Sequence, residues 1–138
     1  NSVEMSEKQI VSVYESYGSR KLIHNMLRAY ISPSMGEHSI DGIFTSSDHL
    51  ATIVREELEE MGKRVPEDIQ IIGYDGLQFL NQGKPIVSSI AQPVHEIAKE
   101  AVRCLNELIA NGKTEGNTKI PVSFQEGPTT KTLVTEEK

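Results

Sequence analysis

Apolar residues between positions 41 and 92 form short runs and helical repeats, each followed by polar or turn-forming residues. The run Gly42–Thr45 predicts a strand, and Ser46–Asp48 behind it is typical of a helix cap. The next helix is indicated by apolar side chains three or four positions apart: Leu50, Val54, Leu58 and Met61. Gly62 ends this helix, and Ile69–Ile72 predicts a second strand. The order strand, helix, strand indicates an α/β fold.

The rest of the chain continues this alternation. Before the central segment, the pattern predicts a strand over Ile10–Tyr14 and a helix over Ser19–Ile31. After it, the pattern predicts three elements: an extended segment over Ile86–Ala91, a helix over Val94–Ala110 and a last strand over Ile120–Gln125. Alternating strands and helices imply a parallel sheet with flanking helices and right-handed crossovers.

Four polar residues follow the apolar strands closely: Ser47, Asp48, Asp75 and Gln92. Ligands of open parallel sheets bind outside the carboxyl ends of the strands, so these residues are candidates for one site. Ser47 or Asp48 would also serve as a helix cap, which is compatible with ligand contact. The alternative for Asp75 is a turn residue that bonds its own backbone. A carboxylate accepts hydrogen bonds from adjacent hydroxyls, so Asp75 suits a sugar or another polyol.

The charge of the chain argues against a DNA-binding surface on these 138 residues. Its formal net charge is −6 and its 14 basic residues are scattered, whereas nucleic-acid binding needs a concentrated basic face. No apolar run approaches the roughly 20 residues that a transmembrane helix needs, so no membrane contact is expected. No signal peptide is visible and Cys104 is the single cysteine, so a cytoplasmic origin fits.

Catalytic and metal chemistry are not expected. The four histidines share no ligand spacing, and His95-Glu96 lacks the second histidine of a zinc-protease helix because Lys99 occupies that position. Ser46-Ser47 is not set in a nucleophile elbow. We therefore expect no enzyme activity, no metal and no cofactor. The acidic residues Glu56, Glu57, Glu59 and Glu60 are interpreted as a solvated helix face.

The segments DGIFTSSDHLA, LEEMGKRVPEDIQIIGYDG and SSIAQP resemble the effector-binding core of the LacI/GalR family of bacterial transcription regulators. The similarity extends more loosely to the closing segment IPVSFQEGPTT. Two positions depart from the family pattern. Ser47 stands where an asparagine is common, and Gln125-Glu126-Gly127 stands where an arginine is usual, so the identity of the ligand does not carry over.

The resemblance implies one lobe of a periplasmic-binding-protein-like type I fold. It implies that Asp75 and Gln92 contact a small sugar-like effector. Tyr14 or Tyr17 could stack on a sugar face, and ordinary packing at the rim is an equal alternative. The expected division is a C-terminal effector-binding lobe over 1–92, a helix over 93–112 that packs on a first lobe, a closing strand over 113–130 and a tail over 131–138.

The function that the resemblance implies is that of the effector-sensing part of a transcription regulator. DNA would be bound only through an N-terminal head that these residues do not include, and a homodimer is expected. The alternative is a periplasmic sugar-binding protein of a transporter. Helix 94–110 carries a broad apolar stripe, and we expect this chain to bury it by self-association.

Overall fold

The computed structural model describes residues 19–31, 40–76, 84–114 and 117–132. In chain order the elements are α1 (Arg20–Ile31), β1 (Gly42–Phe44), α2 (Asp48–Glu60), β2 (Gln70–Asp75), β3 (Ser88–Ala91), α3 (Val94–Asn111) and β4 (Ser123–Gln125). The predicted α/β alternation is confirmed over these residues. The predicted strand Ile10–Tyr14 lies outside them.

The four strands form one sheet in the order β1-β2-β3-β4. Strands β1, β2 and β3 are parallel, with Ile43 opposite Ile71 and Ile72 opposite Ser88. Strand β2 extends to Asp75, three residues beyond the predicted end, because Asp75 still pairs with Ala91. The carboxyl ends of the three strands therefore lie at one edge of the sheet.

Strand β4 departs from the expected all-parallel arrangement. It runs antiparallel to β3, with Ser123 opposite Ala91 and Gln125 opposite Ser89. The chain leaves the carboxyl end of β3 into α3 and returns beside the same end. A strand that starts there can extend the sheet only in the opposite direction.

The hydrophobic core lies on the α2 side of the sheet. Helix α2 packs on β2, and α1 packs on α2. The core consists of nine buried apolar side chains: Ile23, Leu27, Ala51, Ile53, Val54, Leu58, Ile69, Ile71 and Val87. Six of these residues come from the two helices, Ile71 lies in β2, and Ile69 and Val87 directly precede β2 and β3. The helical spacing in the sequence predicts two of them, Val54 and Leu58.

The segment after β4 is tied back into the sheet by side-chain hydroxyls. Thr129 is fully buried; its hydroxyl donates to the carbonyl oxygen of Ile71 at 2.7 Å and accepts from the backbone N–H of Ser88 at 2.8 Å. Gly127 lies so close to Val87 that a Cβ there would be 2.5 Å from the Val87 carbonyl oxygen. This anchoring holds β4 beside β3.

Helix α3 contributes nothing to this core. None of its residues is buried in the described part of the chain. It ends at Asn111 and is capped by Gly112, whose φ of 68° is the left-handed conformation that favours glycine.

Candidate functional site at the carboxyl edge of the sheet

Asp75 and Gln92 meet at the carboxyl edge of the parallel strands. The side-chain Nε2 of Gln92 donates to Oδ1 of Asp75 at 2.8 Å, and the backbone N–H of Gln92 donates to the Asp75 carbonyl at 3.3 Å. Both residues are half-buried, so the pair borders solvent. The expectation that these two side chains converge is confirmed. Their role as ligand contacts stays a prediction.

The backbone of Asp75 adopts an unusual conformation. Its φ is 110°, in the region that side-chain-bearing residues rarely occupy. Such a residue costs of order 1–3 kcal/mol and persists only where the surrounding structure enforces it, which is common at functional sites. The hydrogen bonds to Gln92 and the pairing with Ala91 supply that enforcement here.

Gly76 follows Asp75 in a turn that passes close to strand β3. Its φ is 78°, and a Cβ at this position would be 2.6 Å from the Cβ of Ala91. A glycine is therefore required for the backbone to pass so close to β3. The Gly76 N–H donates to the hydroxyl of Ser89 at 3.2 Å, which fixes the turn after Asp75.

Asp48 lies beneath this turn, in the first turn of α2. It is 2% exposed, and its Oδ1 accepts a hydrogen bond from the Ser89 hydroxyl at 2.5 Å. The carboxylate lies against Gly73 of β2, where any Cβ would clash with Oδ1. Ser89 thus connects Asp48 to the backbone that follows Asp75. The structure brings Asp48, Asp75 and Gln92 into one cluster, with Asp48 as its buried member.

Ser47 performs the predicted capping role. Its hydroxyl accepts from the backbone N–H of Leu50 at 3.2 Å, so it is the N-cap of α2. It is buried. Tyr14 and Tyr17 lie outside the described residues. The ligand roles predicted for these three residues remain predictions.

Two members of the cluster, Ser89 and Gln125, were not predicted from the sequence. Ser89 belongs to the SSIAQP segment, and its position two residues before Ala91 places it on one face of a strand. That was the available signal. Gln125 faces Ser89 across the β3–β4 pair, and its Oε1 lies 3.4 Å from the position of a Cβ on Gly76. Within the described ranges, this Oε1 is buried and has no hydrogen-bond partner. No local pattern predicts this placement, because it depends on the antiparallel register.

The cluster offers hydrogen-bonding groups for a polar ligand. Asp75 and Gln92 border solvent with a carboxylate and a side-chain amide, a combination that pairs with the hydroxyls of a polyol. Among the residues that the structure describes, no group of three or more His, Cys, Asp or Glu side chains could hold a metal ion. No helix in those same ranges is long and apolar enough to cross a membrane.

Comparison with known proteins gives consistent matches. A family model described as a periplasmic binding protein-like domain matches residues 3–130. The chain is similar to the ribose operon repressor of Halalkalibacterium halodurans, with 39% identity over 67 residues. This alignment covers 49% of the chain and 20% of the repressor, so the matched part spans about a fifth of that relative.

Two solved structures share the fold. One is a LacI family transcriptional regulator from Arthrobacter sp. FB24 in complex with lactose; its TM-score is 0.63 at 29% identity, covering 81% of this chain and 41% of that one. The other is a LacI family transcriptional regulator from Enterococcus faecium with bound ribose; its TM-score is 0.58 at 28% identity, covering 82% and 41%. The predicted fold class and the resemblance to LacI/GalR regulators are thereby confirmed.

Proposed function

The chain belongs to the periplasmic binding protein-like domain family, and from this premise we propose that it forms one half of the effector site of a LacI/GalR-type transcription regulator. The proposed effector is a small sugar or a related polyol. The regulator would act in the cytoplasm as a homodimer, bind DNA through a head outside these residues and catalyse no reaction.

The observation that carries this proposal is the Asp75–Gln92 pair. The Nε2–Oδ1 hydrogen bond of 2.8 Å orients the carboxylate and the amide together at the carboxyl edge of the sheet. The positive φ of Asp75 and the glycine behind it hold the carboxylate in this place before any ligand arrives. Such preorganisation favours binding because fewer groups need to be ordered when the ligand enters.

Asp48, Ser89 and Ser47 have supporting roles in this proposal. Ser47 sets the start of α2, and the Asp48–Ser89 hydrogen bond ties α2 to the turn at Gly76. A shift of the backbone at Gly76 would therefore move the first turn of α2. This connection offers a physical route from the ligand edge to the rest of the domain.

The proposal is tested by calorimetric titration of the full-length regulator with D-ribose, sucrose and lactose. We expect one of these sugars or a close relative to bind, and we expect Asp75→Ala to weaken binding by roughly 1–3 kcal/mol, since buried polar partners are left unpaired. Asp41→Ala is the matched control, because Asp41 is exposed and precedes β1 at the opposite edge of the sheet. Equal losses in the two variants would contradict the proposed site.

The isolated 138-residue chain provides a second arm of this test. Its candidate site borders solvent, and water competes with a ligand for exposed polar groups. We expect the isolated chain to bind these sugars weakly or not at all. Micromolar affinity for the isolated chain would show that no second lobe is needed.

A further inference from the structure

Two buried side chains lie beneath the turn formed by Asp75 and Gly76. Asp48 and Ser89 are each 2% exposed, so neither is accessible to a ligand at the edge of the sheet. The Ser89 hydroxyl donates to Oδ1 of Asp48 at 2.5 Å and accepts from the backbone N–H of Gly76 at 3.2 Å. Any influence of these two side chains on a ligand therefore has to pass through the turn.

The two partners of Ser89 fix the direction of its hydroxyl. A carboxylate accepts hydrogen bonds, and a backbone N–H only donates them. The hydroxyl proton therefore points to Asp48, and a lone pair of the oxygen is directed to the Gly76 N–H. A weaker acceptor at position 48 would hold this orientation less firmly.

Asp48 is itself held by the helix and by the sheet. It is the first residue of α2, where the helix dipole favours a negative charge, and the Thr52 hydroxyl donates to its backbone carbonyl at 2.9 Å. Its carboxylate occupies the room that Gly73 of β2 leaves, because any Cβ there would clash with Oδ1. A buried charge is costly to move away from the groups that solvate it. Asp48 is thus a rigid anchor for Ser89.

The turn requires an anchor because its backbone is strained. Asp75 has a φ of 110°, which residues with a side chain rarely adopt and which persists only where the surroundings enforce it. The hydrogen bond from Gly76 to Ser89 acts on the residue directly after Asp75. Loss of that bond would leave the backbone freer to return to an ordinary conformation, which would turn the Asp75 carboxylate away from its present place.

From these contacts we infer that Asp48 and Ser89 are positioning residues for the carboxylate of Asp75. Asp48 orients the Ser89 hydroxyl, Ser89 holds the Gly76 N–H, and the held turn keeps Asp75 in its strained conformation. The inference rests on the proposed function for its consequence, which is that affinity for the effector depends on two residues that no ligand touches. It differs from the prediction that Asp48 is itself a ligand contact.

The positioning of the turn is tested without a ligand. Amide hydrogen exchange of the full-length regulator is followed by mass spectrometry, with fragmentation that resolves the Gly76 amide. Ser89→Ala should speed exchange at Gly76 by about fivefold or more, because this N–H loses its acceptor. Asp48→Asn should speed it less, since an amide oxygen is a weaker acceptor than a carboxylate. If Asp48 acts through Ser89, Asp48→Asn should add nothing in the Ser89→Ala background.

Ser88 provides the matched control for Ser89. It precedes Ser89 in β3 and is fully buried, but its hydroxyl lies on the opposite face and donates to the Gly127 carbonyl at 3.0 Å. Ser88→Ala should leave exchange at Gly76 unchanged, although it also removes a buried hydroxyl from this strand. Ser89→Thr keeps the hydroxyl and suits a strand, so it should keep the slow exchange. Equal acceleration in Ser88→Ala and Ser89→Ala, or none in Ser89→Ala, would overturn the inference.

The consequence for affinity is measured on the same variants by titration calorimetry with D-ribose, sucrose and lactose. For the sugar that binds, Ser89→Ala should weaken affinity by about threefold to tenfold, whereas Ser88→Ala should not. In the Asp75→Ala background, Ser89→Ala should have no further effect, because it acts through that carboxylate. Additive losses, or an unchanged affinity in Ser89→Ala, would overturn the inference. Binding of none of the sugars by the unmodified regulator would contradict the proposed function, and exchange at Gly76 would then decide the positioning roles by itself.

Discussion

Helices α2 and α3 are both amphipathic, but only α2 packs on the sheet. Four apolar residues of α2 are buried: Ala51, Ile53, Val54 and Leu58. In α3, six large apolar side chains are 40 to 75% exposed: Val94, Ile97, Val102, Leu105, Leu108 and Ile109. The apolar stripe of α2 packs on the sheet of the same domain, whereas the stripe of α3 is left for a contact outside the described residues.

The difference follows from the connections of the two helices. Helix α2 links the parallel strands β1 and β2, so the chain has to cross back over the sheet and the helix lies on it. Helix α3 leaves and re-enters at the same edge, because β4 is antiparallel to β3. A helix with this connection does not have to lie over the sheet. An apolar stripe thus predicts that a face is covered, while the topology decides what covers it.

The largest expected effect concerns the exposed face of α3. Six side chains that remain about half exposed forgo roughly 5–9 kcal/mol, taking 1.5–3 kcal/mol for full burial of each. This is comparable to the stability of a small domain. We therefore expect the 138-residue chain to self-associate through α3, which sedimentation velocity over a range of concentrations will detect.

A pair of variants assigns that association to the stripe. Leu105→Glu places a carboxylate on the apolar face, and we expect it to shift the chain towards monomer. Ala110→Glu adds the same charge at an exposed position on the opposite face of α3 and should not. A strict monomer in the unmodified chain, with α3 ordered by amide exchange, would contradict the prediction.

The second prediction compares one leucine from each helix. Leu58 of α2 is fully buried, and Leu58→Ala should lower the free energy of unfolding by about 2–5 kcal/mol at any protein concentration. Leu105 of α3 is 55% exposed, so Leu105→Ala should cost less, and the cost should grow with concentration as association is lost. Urea denaturation at two concentrations measures both. Equal losses that do not depend on concentration would remove the contrast between the helices.

The third prediction concerns Glu57, for which the interpretation as part of a solvated face is wrong. Glu57 is 3% exposed; its Oε2 lies 2.9 Å from Nδ1 of His24 and its Oε1 lies 3.4 Å from Nη1 of Arg20. The carboxylate is buried because α1 covers this part of α2 and supplies its partners. Glu57→Gln should lower the free energy of unfolding by roughly 1–2 kcal/mol, since these charge-assisted contacts are lost.

Glu59→Gln is the matched control for this change. Glu59 is exposed and pairs with Arg55 one turn away on the same helix, so its loss should cost only about 0.3–0.5 kcal/mol. Thermal unfolding of both variants provides the measurement. Similar losses would mean that the contacts with α1 add nothing beyond an ordinary surface pair.

The sequence was sufficient for those parts of the site that follow from local order. An apolar run that ends in Tyr74-Asp75-Gly76 places a carboxylate at a strand end, and the next strand end places Gln92 beside it, because parallel neighbours share an edge. Ser47 as a helix cap follows from its position before an amphipathic repeat. Each of these requires only the sequence of elements and the geometry of parallel sheets.

The parts that escaped prediction depend on contacts between distant segments. Gln125 enters the cluster through the antiparallel register of β4 with β3, and Glu57 is buried through the packing of α1 on α2. Neither a strand register set by a long connection nor a helix-to-helix contact is encoded in a local pattern. Asp48 is intermediate: its position at a strand end was predictable, but its burial against Gly73 was not.

The smallest expected effect is a pH dependence confined to α3. Hydrogen bonds from Arg103 and then Thr118 lower the pKa of the half-buried Glu100 carboxyl from its ordinary 4.5 to about 2. Because the pKa in the folded chain is below its unfolded value, the stabilisation is present above about pH 4.5 and is lost as the pH falls towards 2. Carboxyl chemical shifts of Glu100 will report this titration directly, and amide exchange will report loosening of α3 and of the segment at Thr118. Arg103→Gln should return the pKa of Glu100 towards 4.5, and Thr118→Val should change it less. High salt should weaken the shift because Arg103 and Glu100 pair at the surface. A Glu100 pKa near 4.5 in the unmodified chain would show that these hydrogen bonds do not form in solution.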